Sequence, residues 1–167
     1  GRGGIDAVAH AAAAIDAFER GGDIRNLLAS RALTAVALVA RPRASADDHA
    51  LALRQSQQAL EIGQGIGGFP LIYARTLRAV VLVELLDGPD AAARASEARA
   101  HAEFLVASFG FSAFVSGHAQ ASLARVALFE GELESARAHA GGSRATFDGL
   151  GLNLMTGSAV VVEVECS

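Results

Sequence analysis

Few residues in this chain have types and spacings suited to chemistry. Gly63-Gln64-Gly65-Ile66-Gly67-Gly68 spells G-x-G-x-x-G. In a dinucleotide site that turn follows a strand and opens a helix whose N-terminus meets the pyrophosphate. Here it follows a helical stretch, Gln57 to Ile62, and leads into Phe69-Pro70. Asp87 lies about far enough downstream to serve as a ribose-binding acid, but no strand–helix–strand pattern surrounds it. The cluster therefore reads as a flexible loop between helices. The histidines, His10, His49, His101, His118 and His139, form no H-E-x-x-H or other close ligand pair. His101 and Glu103 stand two apart, which points them to different helix faces. Cys166 stands alone beside the C-terminus and reads as a free thiol. No G-x-S-x-G occurs, and Glu97 sits by itself between Arg94 and Arg99. With no convergent acid, base or nucleophile, the expectation is a protein that is not an enzyme and takes neither metal nor cofactor.

The bulk composition narrows the class. Apolar residues make up 51% of the 167 residues, which excludes a disordered chain and allows one sizeable core. Aromatics are only 5%, and alanine and valine dominate. That mixture suits closely approaching helices better than a β-sandwich. A formal charge of −4 weighs against nucleic acid, which demands a basic face. No uncharged apolar run reaches the length of a membrane span, so no membrane partner is expected. A single cysteine permits no intrachain disulfide and fits a reducing cytoplasm. The chain opens on Gly1-Arg2-Gly3-Gly4 rather than Met and ends soon after Ala159-Val160-Val161-Val162; it reads as a fragment of something longer.

Apolar residues recur at helical spacing almost throughout. Ile5, Val8, Ala12, Ile15 and Phe18 stripe a first helix over roughly 4–20. Gly21-Gly22 stops it, and Asp23 can cap a second helix that carries Ile24 to Val39. Pro42 ends that one. Ser45-Ala46-Asp47-Asp48 resembles a capping box and opens a third helix running to about Ile62. Pro70 suits the first turn of a fourth, which reaches about Leu86 before the turn Asp87-Gly88-Pro89-Asp90. Helices over about 90–107 and 112–130 follow, then a seventh to about Phe147 that should fray or bend at Gly141-Gly142. An eighth begins near Leu152. Val160-Val161-Val162-Glu163-Val164 is strand-like in composition but is assigned to that helix by the register below.

Three segments superimpose without gaps: Ala32 to Leu38, Thr76 to Leu82 and Ser122 to Leu128. Their anchor leucines, Leu33, Leu77 and Leu123, are 44 and 46 residues apart. Glycine breaks recur before them at Gly22, Gly68 and Gly110, and again at Gly151, which places a fourth anchor near Val162. A unit of helix, turn, helix and glycine break cannot bury its apolar face alone, so such units stack. Leu123-Ala124, Ala127, Gly131 and Ala136 resemble the tetratricopeptide repeat, with Ala127 standing where that pattern has an aromatic residue. Ala59-Leu60 and Ala145-Thr146-Phe147 resemble the ends of its second helices. The step exceeds the roughly 34 residues of the standard repeat, and longer repeats of this kind resemble those of large bacterial regulators that join an ATPase or kinase module to a helical array. The resemblance implies an all-α, right-handed α-solenoid of antiparallel hairpins. It would comprise pairs at about 23–62, 70–107 and 112–148, with half-units at 4–20 and 152–165.

In tetratricopeptide arrays the first helix of each pair lines the concave groove. Carried over, that assigns the second, fourth and sixth helices to a binding face. Arg31 and Arg75 each precede their anchor leucine by two residues and should stack in adjacent repeats. Arg78 and Arg125 follow their anchors, and Asn26, Tyr73, His118 and Gln120 lie on the same helices. Arg31, Arg75, Arg78, Tyr73, His118 and Arg125 are thus the expected groove. Their guanidinium groups suit acidic or C-terminal carboxylate groups. The expected role is a protein- or peptide-binding regulatory module of a bacterial signalling protein, its partner an acidic peptide or the remainder of its own chain. Two alternatives stand beside it: an effector-sensing array that controls an attached ATPase, kinase or transcription module, and a structural spacer or dimerisation array.

Overall fold

The computed structural model describes residues 3–110, 112–152, 161, 162, 164 and 165, with side chains from residue 9 onward. The described residues form seven α-helices and no strand. They fall into two compact units, Gly1–Glu84 and Leu85–Ser167.

The first unit holds α1 (Gly3–Gly21), α2 (Ile24–Val39), α3 (Ala46–Ile66) and α4 (Gly68–Val83). Its boundaries follow local chemistry. Asp23 accepts from the Asn26 backbone N–H (3.2 Å) and from Asn26 Nδ2 (2.7 Å), which caps α2. Ser45 Oγ accepts from the Asp48 N–H at 3.1 Å while Asp48 Oδ2 accepts from the Ser45 N–H at 2.9 Å, the reciprocal box anticipated for α3. Those hydrogen bonds, with Arg41 at 2.9 Å, hold the Asp48 carboxyl below its usual range. Six residues join α2 to α3, and the two helices pack side by side, so they run antiparallel. The helix α2 also contacts α1 and α4, and α3 contacts α4. Leu28, Ala32, Ala59, Leu60, Ala74 and Leu77 make the core where α2, α3 and α4 meet.

The glycine cluster behaves differently from the expected loop. Gly63 to Ile66 continue α3, and the chain leaves the helical path at Gly67 and Gly68, at φ 73° and 57°. The reason is contact. A Cβ on Gly63 would lie 3.1 Å from both the Ala74 Cβ and the Leu71 Cα, and 3.2 Å from the Pro70 carbonyl oxygen. Gly63 lets α3 and α4 approach, and that packing offsets its propensity cost of about 1 kcal/mol.

The second unit holds α5 (Ala91–Phe109), α6 (Ala113–Phe129) and α7 (Leu133–Gly149), with α6 packed against both neighbours. Three residues, Glu130 to Glu132, turn α6 back along α7. Gly141-Gly142 do not interrupt α7; both residues are helical. The contacts on either side hold them. Phe147 is 0% exposed and seats its ring over Gly117, where an added Cβ would come within 2.8 Å of the ring. Ser143 Oγ donates to the Gly117 carbonyl at 2.9 Å. Ala124, Ala127, Ala136 and Ala140 bury Val162 completely, and the described residues around it, 161, 162, 164 and 165, are helical. The start of the expected eighth helix, together with Cys166, lies outside the described residues.

The helices α2, α4 and α6 end alike. Ala40, Glu84 and Glu130 each stand in αR geometry, and the N–H of each meets carbonyls two and four residues back. Those caps repeat at the 44- and 46-residue steps of the anchor leucines. The anchors themselves differ. Leu77 and Leu123 are buried, whereas Leu33 is 55% exposed. Leu77 packs back onto α2 and α3, but ahead of α2 the described chain supplies only α1.

Candidate functional site

The arginines singled out by spacing have structural partners. Arg31 is buried: Nη1 donates to Gln55 Oε1 (2.8 Å) and Gln58 Oε1 (2.6 Å), and Nη2 to Glu19 Oε1 (3.2 Å). Its guanidinium thus clasps α1, α2 and α3. Arg78 is buried too, donating to the Leu53 carbonyl (2.9 Å) and Ser56 Oγ (2.8 Å) of α3. Arg75 is half-buried. Arg31 therefore does not join Arg75 in an open basic strip, because the glutamines of α3 reach its head group first. Arg125 is half-buried in the second unit, beside a cavity of about 240 Å³ shared with Leu86, Leu128, Phe129 and Glu165.

His118 sits edge-on between Phe114 (ring centroids 4.6 Å apart) and Phe147 (5.1 Å). Burial holds its imidazole below the usual histidine value, and burial together with Arg99 does the same for His139, against an opposing pull from Glu132. Both groups resist protonation when folded. The unfolded chain therefore takes up protons as pH falls through the ordinary value of 6.5 while the folded chain does not, and stability declines there. The expected result is a lower melting temperature at pH 5.5 than at pH 7.5, with the His118→Asn variant showing a smaller loss. Equal losses in the two proteins would exclude His118 as a source.

Tyr73 opens onto a larger space than Arg125 does. It lines a cleft of about 590 Å³ with Arg25, Leu28 and Ala29 of α2, Ile66 and Gly67 at the end of α3, and Gly68, Phe69 and Pro70 in the first turn of α4. Phe69 and Tyr73, one helical turn apart, stack at 6.3 Å with 29° between their planes. Phe69 is 71% exposed, so this aromatic wall is accessible from solvent. Burial lifts the Tyr73 phenol above its usual value, which keeps it a neutral hydrogen-bond donor. Leu28, Ala29, Ile66 and Pro70 supply the apolar remainder. Gly67 and Gly68 both take positive φ, at 73° and 57°, so the chain can turn from α3 into α4 around the cleft.

Spacing did not reveal Arg25, Phe69 or Pro70 as site residues. The available signal was Phe69 and Tyr73, an aromatic pair four apart beside two glycines. Among the described residues no group of three or more His, Cys, Asp or Glu side chains could hold a metal ion, and no helix is long and apolar enough to cross a membrane. In comparison with known proteins, the chain matches no family model, no curated protein and no solved structure.

Proposed function

We propose that this chain is a protein-interaction module. On this reading its hairpins stack as a tetratricopeptide-like α-solenoid within a bacterial signalling protein, and its recognition face is the cleft between α2, the end of α3 and the start of α4. The observation that carries the reading is the accessible aromatic pair over an apolar floor. An exposed Phe69 is unfavourable to leave in water and is well placed to receive an apolar side chain. The cleft is open rather than enclosed, which suits a peptide laid across it. The regular ends of α2, α4 and α6 support the stacked-hairpin element of the proposal. Arg31 and Arg78 act in it as braces that hold the helices, and Tyr73 contacts the partner.

The test is selection of random twelve-residue peptides on the immobilised chain, with Phe69→Ser as the counter-target. Phe69 is exposed, so the replacement leaves the core intact. Peptides that bind the chain and lose at least about tenfold in affinity on Phe69→Ser support the reading, a loss typical of a central anchor contact. Selected peptides indifferent to Phe69→Ser would place recognition elsewhere.

One observation favours a second reading. The cleft volume of about 590 Å³ falls within the roughly 300–1,000 Å³ of small-molecule sites. A chain that selects no peptide, yet is stabilised against heat by an apolar metabolite only when Phe69 is present, would be an effector-sensing array.

A further inference from the structure

We infer that the cleft beside Tyr73 selects peptide segments in which a large apolar side chain adjoins an acidic one, and that Arg25 takes the carboxylate. This rests on the reading of the cleft as a peptide-docking face and adds the charge of its occupant.

The cleft is electrostatically one-sided. Among the described residues Arg25 is its single cation and no acid lines it, in a chain where acids outnumber bases. The acid closest to Arg25 in sequence is already engaged: Asp23 spends both carboxylate oxygens on Asn26, at 3.2 and 2.7 Å. Other arginines find carboxylates within the fold. Arg20 pairs with Asp16, Arg41 with Asp48, and Arg99 with Glu130 and Glu132. Among the described residues no such pair forms at Arg25, which is exposed.

The placement of Arg25 also runs against local electrostatics. It is the second residue of α2, where the positive end of the helix dipole disfavours a cation. The first turn of α4, which receives no side-chain cap, faces the same cleft with the same polarity. A guanidinium and the start of α4, which has no side-chain cap, thus border an apolar floor. A local rule broken without a local gain points to a functional demand. Chemistry then defines the occupant. Phe69, Tyr73, Leu28 and Ile66 receive an aliphatic or aromatic anchor, while the planar fork of Arg25 receives a carboxylate through two parallel hydrogen bonds. A basic segment is repelled, and a neutral one leaves the positive potential unanswered.

Three peptide pools test this on the intact chain by fluorescence anisotropy. All share a Phe/Leu/Trp centre, flanked by Asp/Glu, by Asn/Gln or by Lys/Arg. The acidic pool is expected to bind about tenfold more tightly than the amide pool. Arg25→Gln should erase that difference, and Arg25→Glu should reverse the order in favour of the basic pool. Phe69→Ser should weaken every pool. Circular dichroism checks that each variant keeps its helices. Pools that respond to Phe69→Ser but bind equally whatever their flanks, or that ignore Arg25→Glu, would overturn the acidic preference and leave the docking face standing. Binding by none of the pools would overturn the docking face and the acidic preference together.

Discussion

Phe147→Ala should lower the unfolding free energy by about 3–5 kcal/mol. Two terms add. The substitution removes the transfer free energy of a ring that is 0% exposed, and it leaves a cavity where that ring sat. The size of the second term depends on whether neighbours can collapse inward. Here they cannot reach far. Gly117 faces the ring directly, and Ala119, Ala136 and Ala140 are among the other buried residues of α6 and α7. Short side chains lack the length to fill a void, so the cost belongs at the upper end of the range. His118 also loses its edge contact at 5.1 Å. Domains of this size are stable by about 5–15 kcal/mol, so the loss is a large fraction of the whole. Urea unfolding followed by far-ultraviolet circular dichroism measures it. Phe147→Leu should cost distinctly less, because most of the volume remains. A loss under about 1 kcal/mol for Phe147→Ala would show that the ring does not hold α6 and α7 together.

Arg31→Glu should destabilise the first unit by about 3–5 kcal/mol. Spacing alone treats this charge reversal as a test of partner affinity. The structure makes it a test of folding. The new carboxylate would lie in a site built for a cation, facing the amide oxygens of Gln55 and Gln58 and the carboxylate of Glu19. Every favourable contact becomes repulsive, and burial denies the charge water. The glutamines can turn their amide N–H groups toward it, and Glu19 is largely exposed, which sets an upper limit on the penalty. Arg31→Met should be much milder, since it removes the charge and keeps the stem. The check is urea unfolding of both variants beside Arg75→Glu, whose half-buried site should tolerate reversal better. A folded, fully stable Arg31→Glu protein would mean that the clasp between α1, α2 and α3 contributes nothing.

These substitutions bear on what a sequence can convey. Periodicity correctly put Arg31 and Arg78 on helices, yet whether a guanidinium meets solvent depends on what the next helix brings to it. Gln55, Gln58 and Ser56 are 22 to 27 residues away along the chain from the arginines they bind. No local pattern marks them as acceptors. Tyr73 was legible as a candidate because of the helix that carries it. Its cleft was not legible, since Arg25 and Leu28 reach it from a different helix. The cluster Gly63 to Gly68 was misleading for the same reason. Glycine marks either a flexible break or a close approach, and at Gly63 only the position of Leu71 and Ala74 distinguishes the two.

The sequence by itself determined the all-helical class, most helix ends and the capping residues. Those properties depend on neighbours within about four positions, where propensity, proline, glycine and side-chain caps act directly. It also determined the 44- and 46-residue steps, which the ends of α2, α4 and α6 follow. Tertiary structure decided which arginines became braces, why Leu33 lies open while Leu77 is covered, and where an aromatic wall meets Arg25. Each of those depends on contacts between segments distant in the chain. Burial and long-range hydrogen bonding reassign a side chain's role without changing its place on a helix.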